Sequence, residues 1–141
     1  MTKKTYFGSN IDRYIEFTEK EKTFIREFKL LMLDGLKIKK YCASIGFVFR
    51  TYTISYDSDR LIWNSFKNPT PYIHFSRILS IGDSDSIKHS EIKRKRIVVI
   101  LHKLDYGNKE TILELADEET RNLFADGLKL LVNEYRLKNK N

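Results

Sequence analysis

The stretch DGLKIKKYCASIGFVFRTYTI, residues 34–54, decides the fold. Asp34 and Gly35 end a helical pattern, with glycine at the usual stop position after a helix. The residues that follow predict two strands, Leu36–Tyr41 and Phe47–Ser55, because β-branched and aromatic residues recur in both. A short loop joins these strands, so we expect them to run antiparallel and to open a sheet.

Further strands are predicted after this pair. The fifth predicted strand opens with the β-branched run Ile97-Val98-Val99-Ile100, and a turn at Asp105-Tyr106-Gly107-Asn108 joins it to the sixth. Six or seven antiparallel strands cannot safely leave both sheet edges open, so we expect a mainly β, barrel-like fold. The strands predicted beyond residue 55 are Arg60–Ser65, Tyr72–Ile81, Ile97–Leu104 and Thr111–Ala116.

Two amphipathic helices flank the strands. The first spans about residues 12–33, with a start signal at Thr18, and the second spans 117–137 with Asp117 as its N-cap. An apolar stripe on the second helix suits it to plug one open end of a barrel. The predicted stripe of the first helix is Phe17, Phe24, Phe28 and Leu31, widened by Ile25 and Met32. That of the second helix is Phe124, Leu128, Leu131 and Tyr135.

The composition limits the classes of function. The 141 residues fit one domain, and a net charge of +7 indicates a polyanionic partner. A single cysteine, Cys42, excludes an internal disulfide and suits a cytoplasmic protein. No apolar run is long enough to span a membrane, and Thr2 stands where a myristoylation signal needs glycine.

No motif indicates catalysis or a cofactor. His74, His89 and His102 lie far apart and lack metal-ligand spacing. The sequence has no phosphate-binding glycine loop, no dinucleotide fingerprint and no nucleophile elbow. We therefore expect a binding module that is not an enzyme.

The ordered segments resemble the pleckstrin-homology family over about residues 30–136. The likeness is strongest to the phospholipase C delta type, and a narrower one is to the acylated pleckstrin-homology proteins of apicomplexan parasites, which sense phosphatidic acid. It implies a helical extension over 1–33, a barrel domain over 34–137 and a basic tail over 138–141. The carrying segments are residues 34–40, Phe49–Ile54, Arg60–Trp63, Phe75–Gly82, Ile112–Ala116 and Asn122–Leu128, with Phe124 where the family usually has tryptophan.

The resemblance also implies where a lipid head group would bind. Lipid-binding members carry a basic residue late in the first strand and a basic-x-Arg pair in the second. Lys39 and Lys40 supply the first element and Arg50 the end of the second, whereas Val48 replaces the expected cation. This departure favours a simple anionic head group, such as phosphatidic acid or a monophosphorylated inositide. Lys67, in the loop that contains Pro69 and Pro71, is a further candidate at the same open end of the barrel.

Two other segments could contact a membrane. The loop before the second strand is apolar, and Ile45 and Phe47 either insert into the bilayer or pack on the first helix. The consecutive cations Lys93, Arg94, Lys95 and Arg96 either attract anionic lipid or form a solvated loop.

The sequence thus predicts a monomeric, cytoplasmic module that binds anionic phospholipid at the membrane periphery and recruits its parent protein. A protein-interaction module on the same kind of barrel is the alternative, because fold does not fix function. Nucleic-acid binding fits the charge alone, and no motif supports it.

Overall fold

The computed structural model describes residues 16–42, 46–66, 69–82 and 94–139. Two helices, α1 at Glu19–Asp34 and α2 at Glu118–Lys138, flank the strands, and a 3-10 turn lies at Phe75–Arg77. The strands are β1 Leu36–Cys42, β2 Gly46–Ile54, β3 Arg60–Trp63, β4 Tyr72–His74, β5 Ile78–Gly82, β6 Ile97–Lys103 and β7 Asn108–Glu114.

All seven strands form one antiparallel sheet in the order β4-β3-β2-β1-β7-β6-β5. The mainly β fold with one helix before the strands and one after them is confirmed. The sheet is not closed, because within the described ranges β4 and β5 form its two edges and do not pair with each other. The two edge strands, β4 and β5, therefore leave an open seam between them.

The single strand predicted over Tyr72–Ile81 is wrong, because the chain forms two strands there. The His74 ring accepts a hydrogen bond from the Ser76 backbone N–H at 3.1 Å, which starts the 3-10 turn. The turn redirects the chain, so β4 pairs with β3 whereas β5 pairs with β6. A local side-chain cap has therefore interrupted an otherwise suitable β pattern.

The predicted helix starts at Thr18 and Asp117 are confirmed. The Thr18 hydroxyl accepts from the Glu21 N–H at 3.1 Å, while the Glu21 carboxylate accepts from the Thr18 N–H at 2.9 Å. The Asp117 carboxylate accepts from the Thr120 N–H at 2.7 Å. These bonds satisfy N–H groups that have no partner within the helix. Residues 12–15 of the predicted first helix lie outside the described ranges.

The buried face of α1 packs against α2. Phe28 is 2% exposed, and its ring meets that of Phe124 edge to face at 6.4 Å between centroids. Gly127 makes this approach possible, since a Cβ there would lie 2.5 Å from the Phe28 ring. The prediction that Leu31 belongs to the buried stripe is wrong, because it lies at the stripe's edge and is 37% exposed. Ile25 and Met32, which widen the predicted stripe, are buried with Phe28 as expected.

The junction between α1 and β1 needs the glycine that the sequence has there. Gly35 adopts φ +91°, and a Cβ on it would lie 2.6 Å from the Thr51 methyl group. We expect Gly35→Ala to lower the free energy of unfolding by about 1–3 kcal/mol, as is typical of a side chain forced into a glycine-only conformation. Chemical denaturation measures this.

The matched control is Gly82→Ala, where a Cβ would meet no atom of the described residues within 4 Å. Its effect should stay within about 0.5 kcal/mol. Equal effects at the two glycines would contradict the strain assigned to Gly35.

Candidate functional site

The hairpin formed by β1 and β2 sends consecutive lysines to opposite sides of the sheet. Side chains alternate along a strand, and residues paired across two strands share a face. Lys40 pairs with Val48 on the side that carries the fully buried Ile38, whereas Lys39 pairs with Phe49 on the other side. Lys39 and Lys40, which the resemblance grouped at one site, therefore belong to two different surfaces.

Lys40 faces a cavity of about 320 Å³, here called the mouth, between the β3–β4 loop and the β6–β7 hairpin. Its Nζ lies 4.8 Å from the centroid of the Trp63 ring. Lys109 supplies a second cation. Among the described residues that line the mouth there is no carboxylate, so its fixed charge is positive.

The floor of the mouth is polar. His102 is 6% exposed, and its Nε2 lies 2.8 Å from the Thr111 hydroxyl oxygen. Burial lowers the pKa of His102, and the charges of Lys109 and Lys40 lower it further. Sequence reasoning missed His102, Lys109 and Thr111 as members of a site, although their alternation along two paired strands would have placed them on one face.

Arg50 lies on the same side of the sheet as Lys40 and pairs with Ile38 across the two strands. It is half-buried, and it is not among the residues that line the mouth. Its neighbour on that side is Tyr52, whose pKa burial raises well above its usual value while the Arg50 charge opposes the rise. Arg50 thus adds positive charge to the same side of the sheet without lining the cavity.

On the other side of the hairpin, two aromatic rings lie among lysines. We call Lys37, Lys39, Phe47 and Phe49 the outer hairpin surface. Phe47 and Phe49 are 48% and 52% exposed, and their rings meet edge to face at 5.9 Å between centroids. Lys39 Nζ lies 4.4 Å from the Phe47 centroid, and Lys37 Nζ lies 5.1 Å from that of Phe49. Such pairs combine an apolar surface with cations that stay near water.

Glu114 holds part of this surface in place. Its side chain lies on the face opposite to that of Leu113, yet it is only 6% exposed. Its carboxylate accepts a 2.5 Å hydrogen bond from the Tyr41 hydroxyl and lies 3.3 Å from Arg96 and 4.0 Å from Lys39. Burial and the bond to Glu114 raise the pKa of Tyr41 to about 12. The carboxylate therefore neutralises part of the charge that Arg96 and Lys39 bring.

The described residues of the basic run, Arg94, Lys95 and Arg96, differ in their surroundings. Arg94 and Lys95 are exposed just before β6, whereas Arg96 is half-buried beside Glu114. The structure thus leaves Arg94 and Lys95 more open than Arg96 to a polyanion. Lys93, the loop lysine Lys67 and the predicted insertion residue Ile45 lie outside the described ranges.

The described residues hold neither a metal-binding cluster nor a membrane-spanning helix. No group of histidine, cysteine or carboxylate side chains in these ranges is arranged to hold a metal ion. None of the helices in them is both long and apolar enough to cross a membrane.

Comparison with known proteins gives matches of fold alone. No protein-family model matches the sequence, and no curated protein is significantly similar to it. Inner membrane complex sub-compartment protein 1 from Toxoplasma gondii is similar in structure, with a TM-score of 0.61 at 16% identity over 84% of this chain and 95% of that one. The Slm1-PH domain, solved with phosphoserine, matches with a TM-score of 0.53 at 11% identity over 70% and 94%.

The phospholipase PLC21 of L. pealei matches with a TM-score of 0.61 at 17% identity over 76% of this chain. This chain spans only 16% of the length of that enzyme. The likeness therefore concerns one module of a much larger protein.

Proposed function

Because this chain has the pleckstrin-homology fold that its sequence predicts, we propose that it is a peripheral membrane-binding module that recognises anionic phospholipid and recruits its parent protein. The observation that carries the proposal is the two-sided β1–β2 hairpin. Lys40 lines a mouth with no carboxylate among its described lining residues, and the outer hairpin surface presents half-exposed Phe47 and Phe49 beside lysines.

These two surfaces have complementary roles in this proposal. A phosphate in the mouth forms charge-assisted hydrogen bonds with Lys40 and Lys109. Phe47 and Phe49 enter the interfacial layer, while Lys37 and Lys39 remain at the level of the head groups. Arg94 and Lys95 add general attraction to an anionic leaflet. The net charge of +7 favours the same partner.

The mouth favours a simple anionic head group. Val48, an apolar residue, pairs directly with Lys40, and Arg50 does not line the cavity. A polyphosphorylated inositol ring needs several cations around one ligand. Two lysines suit one phosphate better, so we propose phosphatidic acid or a monophosphorylated inositide as the preferred lipid.

Vesicle sedimentation tests this function. We expect the protein to bind vesicles that contain phosphatidic acid and not vesicles of neutral phosphatidylcholine. Lys40→Gln removes one of the cations that line the mouth. It should weaken binding about fivefold, since each basic residue near an anionic surface contributes about 1 kcal/mol.

The matched control is Lys20→Gln, which removes an equal charge from the exposed side of α1. It should leave vesicle binding within twofold of the unmodified protein. Equal binding to neutral and anionic vesicles would exclude the proposed function. Equal losses in the two lysine variants would assign binding to net charge and not to the mouth.

A protein partner is the second candidate function. Leu30 and Leu33 on α1 are 61% and 63% exposed, which is unusual for leucines only three residues apart on a helix. PDZ-RhoGEF, another protein with a similar fold, was solved in complex with RhoA. Two results together would support this alternative. The unmodified protein would form a one-to-one complex with a protein partner and would not bind vesicles. The double variant Leu30→Ala, Leu33→Ala would no longer form that complex.

A further inference from the structure

The His102 residue lines two cavities of the molecule. It forms the floor of the mouth with Thr111, and Lys40 and Lys109 line the same cavity. It also borders a second cavity of about 650 Å³, whose lining includes Tyr72, Arg77 and Asp105. The ring is therefore buried by its neighbours and still borders space that a ligand can enter.

The charges around the ring differ between the two cavities. In the second cavity, Arg77 lies 3.1 Å from Asp105, and His74, also in its lining, lies 3.5 Å from the Asp59 carboxylate. The Arg77 guanidinium thus has a carboxylate beside it. In the mouth, Lys109 shares a face with His102 on the paired strand β7, and Lys40 faces the ring from β1. Burial lowers the pKa of His102, and the charges of the two lysines lower it further, so a third positive charge is disfavoured there.

The hydrogen bond between His102 and Thr111 suits both charge states of the ring. A threonine hydroxyl can either donate or accept. Neutral His102 can accept at Nε2 from this hydroxyl, and charged His102 can donate from the same nitrogen to the same oxygen. The 2.8 Å contact therefore survives protonation by rotation of one hydroxyl hydrogen.

We propose that His102 is the proton-linked floor of the mouth: an anion bound between Lys40 and Lys109 draws a proton onto the ring, so that anions bind more tightly as the pH falls. The inference rests on the proposed function, because it assigns a regulation to the same site. A bound negative charge offsets the repulsion that the two lysines exert on an imidazolium. The site then gains a third cation only when an anion occupies it.

The direction of the pH dependence follows from this linkage. Without an anion, the pKa of His102 lies below its usual value of 6.5, so the ring is still mostly neutral at pH 6.5. With an anion bound, the pKa is higher, so the complex carries more protons than the free protein between the two values. Binding then strengthens as the pH falls through that window, by about tenfold for each pH unit that separates the two pKa values.

The test uses phosphatidylglycerol vesicles, because a phosphodiester keeps its single charge from pH 8 to pH 5. Binding to these vesicles is measured across that range for the full chain and for His102→Gln. We expect several-fold tighter binding at pH 5.5 than at pH 7.5, and a flat profile for the variant. Proton NMR of the imidazole ring, with sodium sulfate as a soluble anion, should show the pKa of His102 rising when sulfate is added.

Lys109→Gln provides a second variant that leaves the His102–Thr111 contact in place. It should raise the pKa of His102 in the absence of anion and reduce the pH dependence of binding. Vesicle binding with the same pH profile in the unmodified protein and in His102→Gln would overturn the linkage. So would a His102 pKa that sulfate does not change. Absence of vesicle binding at every pH would instead exclude the proposed function, and the sulfate titration would still decide the linkage.

Discussion

Phe28→Ala is expected to lower the free energy of unfolding by about 3–5 kcal/mol, the range for removing a large buried aromatic side chain. Phe28 is 2% exposed and lies between Phe124 and the position of Gly127. Its removal leaves a cavity that glycine cannot fill. Domains of this size are usually stable by about 5–15 kcal/mol, so a large part of the total would be lost.

Leu30→Ala is the matched control, because Leu30 lies two residues along the same helix and is 61% exposed. Its effect should stay within about 0.5 kcal/mol, since the residue is mostly hydrated in the folded chain. Urea titrations of both variants measure the difference. If Phe28→Ala were as mild as Leu30→Ala, α1 would not be part of the folded core, and its contact with α2 would contribute little to stability.

Phe47→Ala combined with Phe49→Ala is expected to weaken binding to anionic vesicles about 30-fold without changing the net charge. Full burial of a phenylalanine is worth about 1.5–3 kcal/mol. Each ring is already about half covered, so transfer to the membrane interface adds about 1 kcal/mol per ring, and the two together give the expected factor. Vesicle sedimentation at fixed lipid composition measures it.

Leu30→Ala combined with Leu33→Ala controls for the loss of exposed apolar surface in general. These leucines are at least as exposed as the two phenylalanines and lie on α1. Their removal should change vesicle binding by less than twofold. A loss comparable to that of the phenylalanine variant would show that exposed hydrophobicity anywhere on the molecule drives binding, and the outer hairpin surface would lose its assigned role.

Most of the fold could be predicted from local patterns. Thr18, Gly35 and Asp117 carry capping signals that act over three or four residues, and each marks a helix end in the structure. The division of Tyr72–Ile81 into two strands was not predictable from periodicity, because it depends on the cap that the His74 ring provides. The open seam between β4 and β5 likewise depends on the long-range arrangement of the sheet.

The candidate site was less predictable. The resemblance to the pleckstrin-homology family implied a lipid-binding cation at Lys40, and in the structure Lys40 lines the mouth. Lys109 and His102 come from a hairpin more than 60 residues further along the chain, so no local spacing links them to Lys40. Burial of Glu114 also required tertiary information, since Tyr41 and Arg96 reach it from other parts of the chain.

The alternation of Lys39 and Lys40 has a consequence for how relatives of this chain should be compared. Deleting one residue between Leu36 and Lys39 would turn every later side chain of β1 to the opposite side of the sheet. Lysine content and net charge would hardly change, yet Lys39 and Lys40 would exchange sides, so that each would leave the surface to which it belongs. An alignment that counts basic residues in β1 without distinguishing which side of the sheet each one occupies would therefore group proteins that present quite different surfaces to a membrane.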